Sequence, residues 1–231
     1  MVRHHSQRPV PLRTELRAVL FDMDGTLVDT ERLWRRTVEE EAAGLGIALT
    51  DADLSFVLGR AVEDCAAHLA ARADGRGEAA GIGDSMERRF TGLVRRQVVP
   101  LAGAVELLAA LHAAGIPTAL VSASPRQVVD TVLDALGSHR FTVTVAAGET
   151  PRTKPYPDPY LAALTALGAA PASCVAVEDT PTGIASAEAA GCGVVAVPAP
   201  TTTVTPASRR TVVRSLLDVD LALLRGLVAT R

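Results

Sequence analysis

Lysine is almost missing from this chain. Of 23 basic residues in 231, one is lysine, Lys154, and the rest are arginine. Where positive charge alone suffices the chain uses arginine, so the exception asks for a reason. Cysteine is scarce too. Cys65, Cys174 and Cys192 are odd in number, far apart and without a CxxC spacing, which excludes a disulfide framework or a cysteine-rich zinc site and leaves three small core residues. No apolar run approaches the roughly 18 to 20 residues of a membrane span, and the polar start MVRHHSQRPVPLR lacks the apolar stretch of a signal peptide. The expectation is a cytoplasmic protein with no membrane partner. The adjacent His4 and His5 read as tail rather than as a metal pair. A large charge of one sign is also lacking: the formal net charge is -3, with no basic footprint for nucleic acid, so a small soluble partner fits better.

The chain is long enough for one large α/β domain, or for a medium domain carrying an inserted one. At residues 18–21 an unbroken apolar run, AVLF, ends in acid, as does a strand buried on both faces of a parallel sheet. Similar runs recur at TALVS (118–122), FTVTVA (141–146), CVAVE (174–178) and GVVAV (193–197). Helical patterns lie between them, at 104–114, 125–136, 159–167 and 182–190. This alternation predicts a doubly wound, Rossmann-like α/β parallel sheet with right-handed crossovers. Residues 211–219 are read as a last strand, 220–228 as a closing helix, and 198–206 as a surface loop.

Residues 30–99 break the alternation with helical spacing and no convincing strand. They are read as an inserted helical cap, leaving residues 1–29 and 100–231 as the α/β core. Thr30 is placed as the N-cap of the first inserted helix, and the glycine-rich stretch 75–83 as a turn between cap helices, since no strand precedes it and its spacing does not fit a dinucleotide fingerprint.

In an α/β sheet, ligands bind beyond the carboxyl ends of the strands. Asp22 and Asp24 end the first run two residues apart, which in an extended chain puts both on one side. Carboxylates that close imply a shared proton or a bound metal. Asp179 offers a third oxygen ligand at another strand end, with Glu178 beside it as a fourth or as a holder of metal-bound water. Magnesium suits such hard oxygen donors. Gly25 allows the sharp turn after Asp24. Ser122, with the backbone amides that follow, would make an anion site at a helix start. Lys154 precedes prolines 155, 157 and 159, which stiffen the chain around a compact ammonium. Taken singly, these are a turn, a cap, a surface charge and a polar strand end; their shared position at strand ends joins them into one site.

The motifs FDMDGTLVDT (21–30), LVSAS (120–124), KPYPDPY (154–160) and VEDTPTGIASAEAAG (177–191) resemble, in order, the four motifs of the haloacid dehalogenase superfamily of phosphatases. Within it the chain looks like the β-phosphoglucomutase-like phosphatases with a helical cap. The resemblance implies that Asp22 is a nucleophile forming an aspartyl-phosphate, with Asp24 as acid and base. It implies Mg2+ held by Asp22, the Asp24 carbonyl, Asp179 and Glu178, and a phosphoryl group bound by Ser122, Ala123 and Lys154. Asp29 and Thr30 would form the first hinge of a closing cap. Asp24 stands where dehalogenating members lack an acid, and the cap has no lysine of the kind that phosphonate-cleaving members use. A sugar-phosphate mutase is the alternative, disfavoured because Trp34 replaces the mutases' cap histidine and Val62 their substrate-phosphate arginine. A non-catalytic binding protein of the same fold is disfavoured because no catalytic position is lost. The expected activity is a phosphoric monoester hydrolase for a small phosphorylated metabolite such as a sugar phosphate, with Trp34, Arg60 and His68 as candidate cap contacts.

Overall fold

The computed structural model describes residues 15–228, except 58, 59, 61 and 75. The reading of His4 and His5 lies outside these residues. Six strands form one parallel sheet: β1 (Ala18–Phe21), β2 (Thr118–Val121), β3 (Val143–Val145), β4 (Cys174–Glu178), β5 (Gly193–Ala196) and β6 (Arg210–Val212), in the order β3-β2-β1-β4-β5-β6. Phe21 is in register with Leu120 on one side and Val177 on the other, so three strand ends finish level.

The pleat sends alternate side chains to opposite faces. Val19, Phe21, Leu120, Val175 and Val177 join one apolar cluster, and Ala18, Leu20, Ala119, Val121 and Ala176 join the other. Helices α5 (Ala104–Ala113) and α6 (Arg126–Leu136) supply side chains to the first, while α7 (Asp158–Leu167) and α8 (Pro181–Ala189) supply the second. Burial on both faces explains why the strands read as unbroken apolar runs. All three cysteines are buried and free.

The end of the chain departs from expectation. Of the last strand predicted at 211–219, only Thr211 and Val212 fall in β6, which begins one residue earlier at Arg210; Leu216–Asp218 is a 3-10 turn, begun where the Ser215 hydroxyl accepts the Leu217 amide at 3.2 Å. The closing helix α9 spans Leu221–Gly226, with Asp220 as its cap. Among the described residues no helix is long and apolar enough to cross a membrane.

Between β1 and α5 lie α1 (Glu31–Gly44), α2 (Asp51–Val57), α3 (Val62–Arg72) and α4 (Ala79–Gln97). Of the glycine-rich stretch, residues 76–78 lie outside any helix and those from Ala79 onward belong to α4. Helix α4 runs through Gly81 and Gly83, and a Cβ added at Gly83 would make ordinary van der Waals contact with Ala66 of α3 at 3.6 Å. The chain leaves the sheet and returns through adjacent crossings: the Asp29 amide donates to the Val99 carbonyl at 3.2 Å, and the Leu101 amide to the Leu27 carbonyl at 2.8 Å. The helices share an apolar cluster of their own around Val38, Leu69 and Met86, but Leu33, Phe90, Leu93 and Val94 pack into the sheet's cluster.

Candidate active site

The order of the sheet changes direction at β1, whose neighbours are β2 and β4, and such switch points open a crevice above the strand ends. Asp22, Glu178 and Asp179 meet there, with one carboxylate oxygen from each within 4.8 Å of the others. Lys154 enters from the loop before α7, its side chain only 6% exposed. Its ammonium donates to Asp22 Oδ1 at 2.6 Å, Glu178 Oε1 at 2.6 Å and the Val121 carbonyl at 2.9 Å. Burial opposes that charge, yet Asp22 and Glu178 hold the Lys154 pKa above its ordinary value.

Three carboxylates facing one ammonium leave the cluster short of positive charge. Burial, then the charges of Asp22 and Glu178, push Asp179 up to about 8. Burial also raises Glu178, against the pull of Lys154. Glu178 Oε2 is buried without a hydrogen-bond partner among the described residues. Crowded carboxylates and an orphaned buried oxygen are what a hard divalent cation would relieve, so the donors present fit magnesium. Two glycines admit the arrangement. Gly25 takes φ +78°, and a Cβ there would overlap the Asp179 carboxylate; a Cβ on Gly183 would overlap that of Glu178.

Asp24 lives in different surroundings from Asp22. Its Oδ1 accepts the Thr30 hydroxyl at 2.6 Å, and its Oδ2 accepts the hydroxyls of Ser122 at 3.1 Å and Ser124 at 2.8 Å. Burial and the Asp22 charge raise its pKa, and the three hydroxyls oppose the rise. Its carboxylate is not one of the three grouped as cation donors. Thr30 holds the N-cap position of α1, as expected, but its side chain makes no capping bond, because its hydroxyl is spent on Asp24. The Ser122 hydroxyl also faces Asp24, while accepting the Ser124 amide at 2.9 Å.

Residues 16–191 match the haloacid dehalogenase-like hydrolase family. The chain belongs to that family. This family member is 37% identical to hexitol phosphatase A of Escherichia coli over 190 residues, 80% of this chain and 84% of that protein. It is 35% identical to the protein CbbY of Rhodobacter capsulatus, over 80% of this chain and 86% of that one. A crystal structure of Rhodobacter sphaeroides CbbY in complex with xylulose-(1,5)bisphosphate superimposes with a TM-score of 0.76 at 26% identity, covering 90% of this chain and 99% of that one. Family and phosphatase relatives bear out the expected enzyme class, a phosphoric monoester hydrolase.

Thr30 bonds Asp24, but among the described residues of this haloacid dehalogenase family member helices α1 to α4 show no hydrogen bond to the site's carboxylates. Trp34 donates its indole N–H to the Val57 carbonyl at 3.1 Å, meets the Phe90 ring edge-on at 5.4 Å, and packs against both the sheet's cluster and the insertion's own. Arg60 is exposed, its guanidinium 4.2 Å over the Phe56 ring, which in turn stacks on His68. His68 and Arg72 both bond Asp53, and Asp53 also accepts the Thr50 amide at 2.7 Å. Ala123 lies exposed in the bend between Ser122 and Ser124.

Thr26, Ser124, Tyr160 and Gly183 were not read from the sequence as site residues. Thr26 donates to Asp179 Oδ1 at 3.4 Å, and Tyr160 to Glu178 Oε1 at 2.6 Å. Ser124 follows Ser122 with the same two-residue spacing as Asp24 after Asp22, a signal present in the chain. Nothing local pairs Tyr160 with Glu178.

Proposed function

We propose that the enzyme hydrolyses the phosphate monoester of a small sugar or polyol in a magnesium-dependent reaction through an aspartyl-phosphate on Asp22. The observation that carries this reading is the contrast between two aspartates two residues apart. Asp22 faces Lys154 and the other carboxylates, as a nucleophile near phosphate should; Asp24 is held by three hydroxyls with its proton affinity raised, as an acid–base group should be.

An Asp22 carboxylate oxygen attacks phosphorus, the ester P–O bond breaks, and Asp24 gives its proton to the leaving alkoxide. Asp24, now a carboxylate, takes a proton from water as the water oxygen attacks phosphorus. That releases inorganic phosphate and restores Asp22. Lys154, with Ser122 and the backbone at Ala123, would offset charge on the transferring phosphoryl group. Asp22, Asp179, Glu178 and the Asp24 carbonyl would hold magnesium, which neutralises phosphoryl charge when bound. Residues 30–99 would act as the cap that excludes water, hinged where residues 27–29 meet 99–101, with Arg60 available to substrate. Val62 packs against the insertion's apolar cluster, so this position brings no cation for the second phosphate that a mutase must hold.

Hexitol, aldose and ketose phosphates, assayed with magnesium and with EDTA, test the reading. Phosphate release that needs magnesium and disappears in Asp22→Asn is expected. No release from any ester refutes it, and interconversion of a sugar 1-phosphate and 6-phosphate would point to the mutase.

A further inference from the structure

Glu178 has no exposed side-chain surface, and its two oxygens are used unequally. Oε1 accepts from Lys154 Nζ and from the Tyr160 hydroxyl, each at 2.6 Å, while Oε2 has no partner among the described residues. The Lys154 ammonium has three protons and three acceptors: Asp22, the Val121 carbonyl and Glu178. It therefore has no proton left for a phosphoryl oxygen unless one bond is given up. Of the three, only the bond to Glu178 ends on an oxygen with a second donor shown, and that donor is Tyr160.

Tyr160 is fully buried, and the Lys154 ammonium lies 5.3 Å from its ring centroid. We propose that Tyr160 is a positioning residue, whose hydroxyl keeps Glu178 Oε1 satisfied and the carboxylate fixed while Lys154 turns a proton from Glu178 to the phosphoryl group. Oε2 is then left for the cation that Asp22 and Asp179 would share. The inference rests on the metal role proposed for Glu178, and the two can fail separately.

Tyr160→Phe keeps the buried ring and deletes only the hydroxyl. Mn2+ binding by the full chain without substrate, followed by calorimetry or electron paramagnetic resonance, is expected to weaken by about 10- to 100-fold, the usual cost of losing a group that orients a metal ligand. kcat should fall with KM little changed, and the melting temperature should stay within a few degrees. Wild-type Mn2+ affinity in Tyr160→Phe overturns the proposal, with or without a loss of melting temperature. Glu178→Gln tests the metal role alone, and unchanged Mn2+ affinity there would sink that reading instead. Where Glu178→Gln does weaken binding, adding Tyr160→Phe should cost nothing more. A further additive loss would mean that Tyr160 acts by another route, against the proposal.

Discussion

Removing one charge from the carboxylate cluster should make the metal-free enzyme more stable and deaf to magnesium. Asp179 is the residue to change. Its folded-state pKa is raised from 3.8 to about 8 by burial and by the charges of Asp22 and Glu178. A carboxyl whose folded pKa lies above its unfolded value carries no penalty below the unfolded value, and costs stability increasingly as pH rises toward the folded one. At about 1.4 kcal/mol per pH unit, the cost reaches roughly 4 kcal/mol near pH 7 if Asp179 carries all of it. Asp179→Asn keeps the shape and removes the charge but leaves a polar amide in the same place, so a net gain of about 2 kcal/mol is expected. For a chain of this size that is a rise of about 4 to 8 °C in melting temperature. Thermal melts in EDTA should show wild type losing stability between about pH 5 and pH 8, and the variant much less so. Magnesium at about a hundred times its Kd should add roughly 2.7 kcal/mol to wild type and little to the variant. A wild-type melting temperature that is flat with pH in EDTA, or an Asp179→Asn variant that melts below wild type near pH 8, would refute the reasoning.

Ser124→Ala removes one of three hydroxyls that hold Asp24 and lower its pKa. kcat should fall about tenfold with KM nearly constant, the usual size for a lost orienting group, and the limb of the pH–rate profile that reports Asp24 should move to higher pH. Gly183→Ala would drive a methyl group into the Glu178 carboxylate; melting curves should show a loss of about 1 to 3 kcal/mol, with the magnesium-dependent rise diminished. Lys154→Arg should abolish turnover without unfolding the chain, because a planar fork cannot take the place of an ammonium shared among Asp22, Glu178 and the Val121 carbonyl; phosphate release beside a circular dichroism spectrum checks both halves. Asp53 is held well below the usual carboxylate range, first by the Thr50 hydroxyl and amide and then by His68. Its contribution is present above the unfolded value of 3.8 and lost as pH falls below it, so Asp53→Ala should lower the melting temperature at neutral pH and much less in acid.

Much of this protein was determined by its sequence read locally. A strand covered on both faces must be apolar at every position, so AVLF, TALV and CVAVE identify themselves, and the first polar residue after each marks a carboxyl end. That places Asp22, Ser122 and Glu178 on one edge from the sequence alone, and the four motifs name the family. Lys154 was legible as an exception to an arginine-only rule. Tertiary structure decided which atoms these groups touch. The Thr30 hydroxyl could cap a helix or reach back to Asp24, and the fold of the turn gives it to Asp24. Ser122 and Ser124 lie about a hundred residues from Asp24, and no local pattern says that their hydroxyls face a carboxylate rather than a phosphate. The last strand was overextended because an exposed sheet edge lacks the two-sided burial that makes inner strands readable, and Ser215 turns the chain there. Tyr160 reads as one more helix residue until α7 packs on the sheet and its hydroxyl reaches Glu178 at the end of β4. Hydrogen-bond partners depend on distances of a few tenths of an ångström, and only the packed fold sets these.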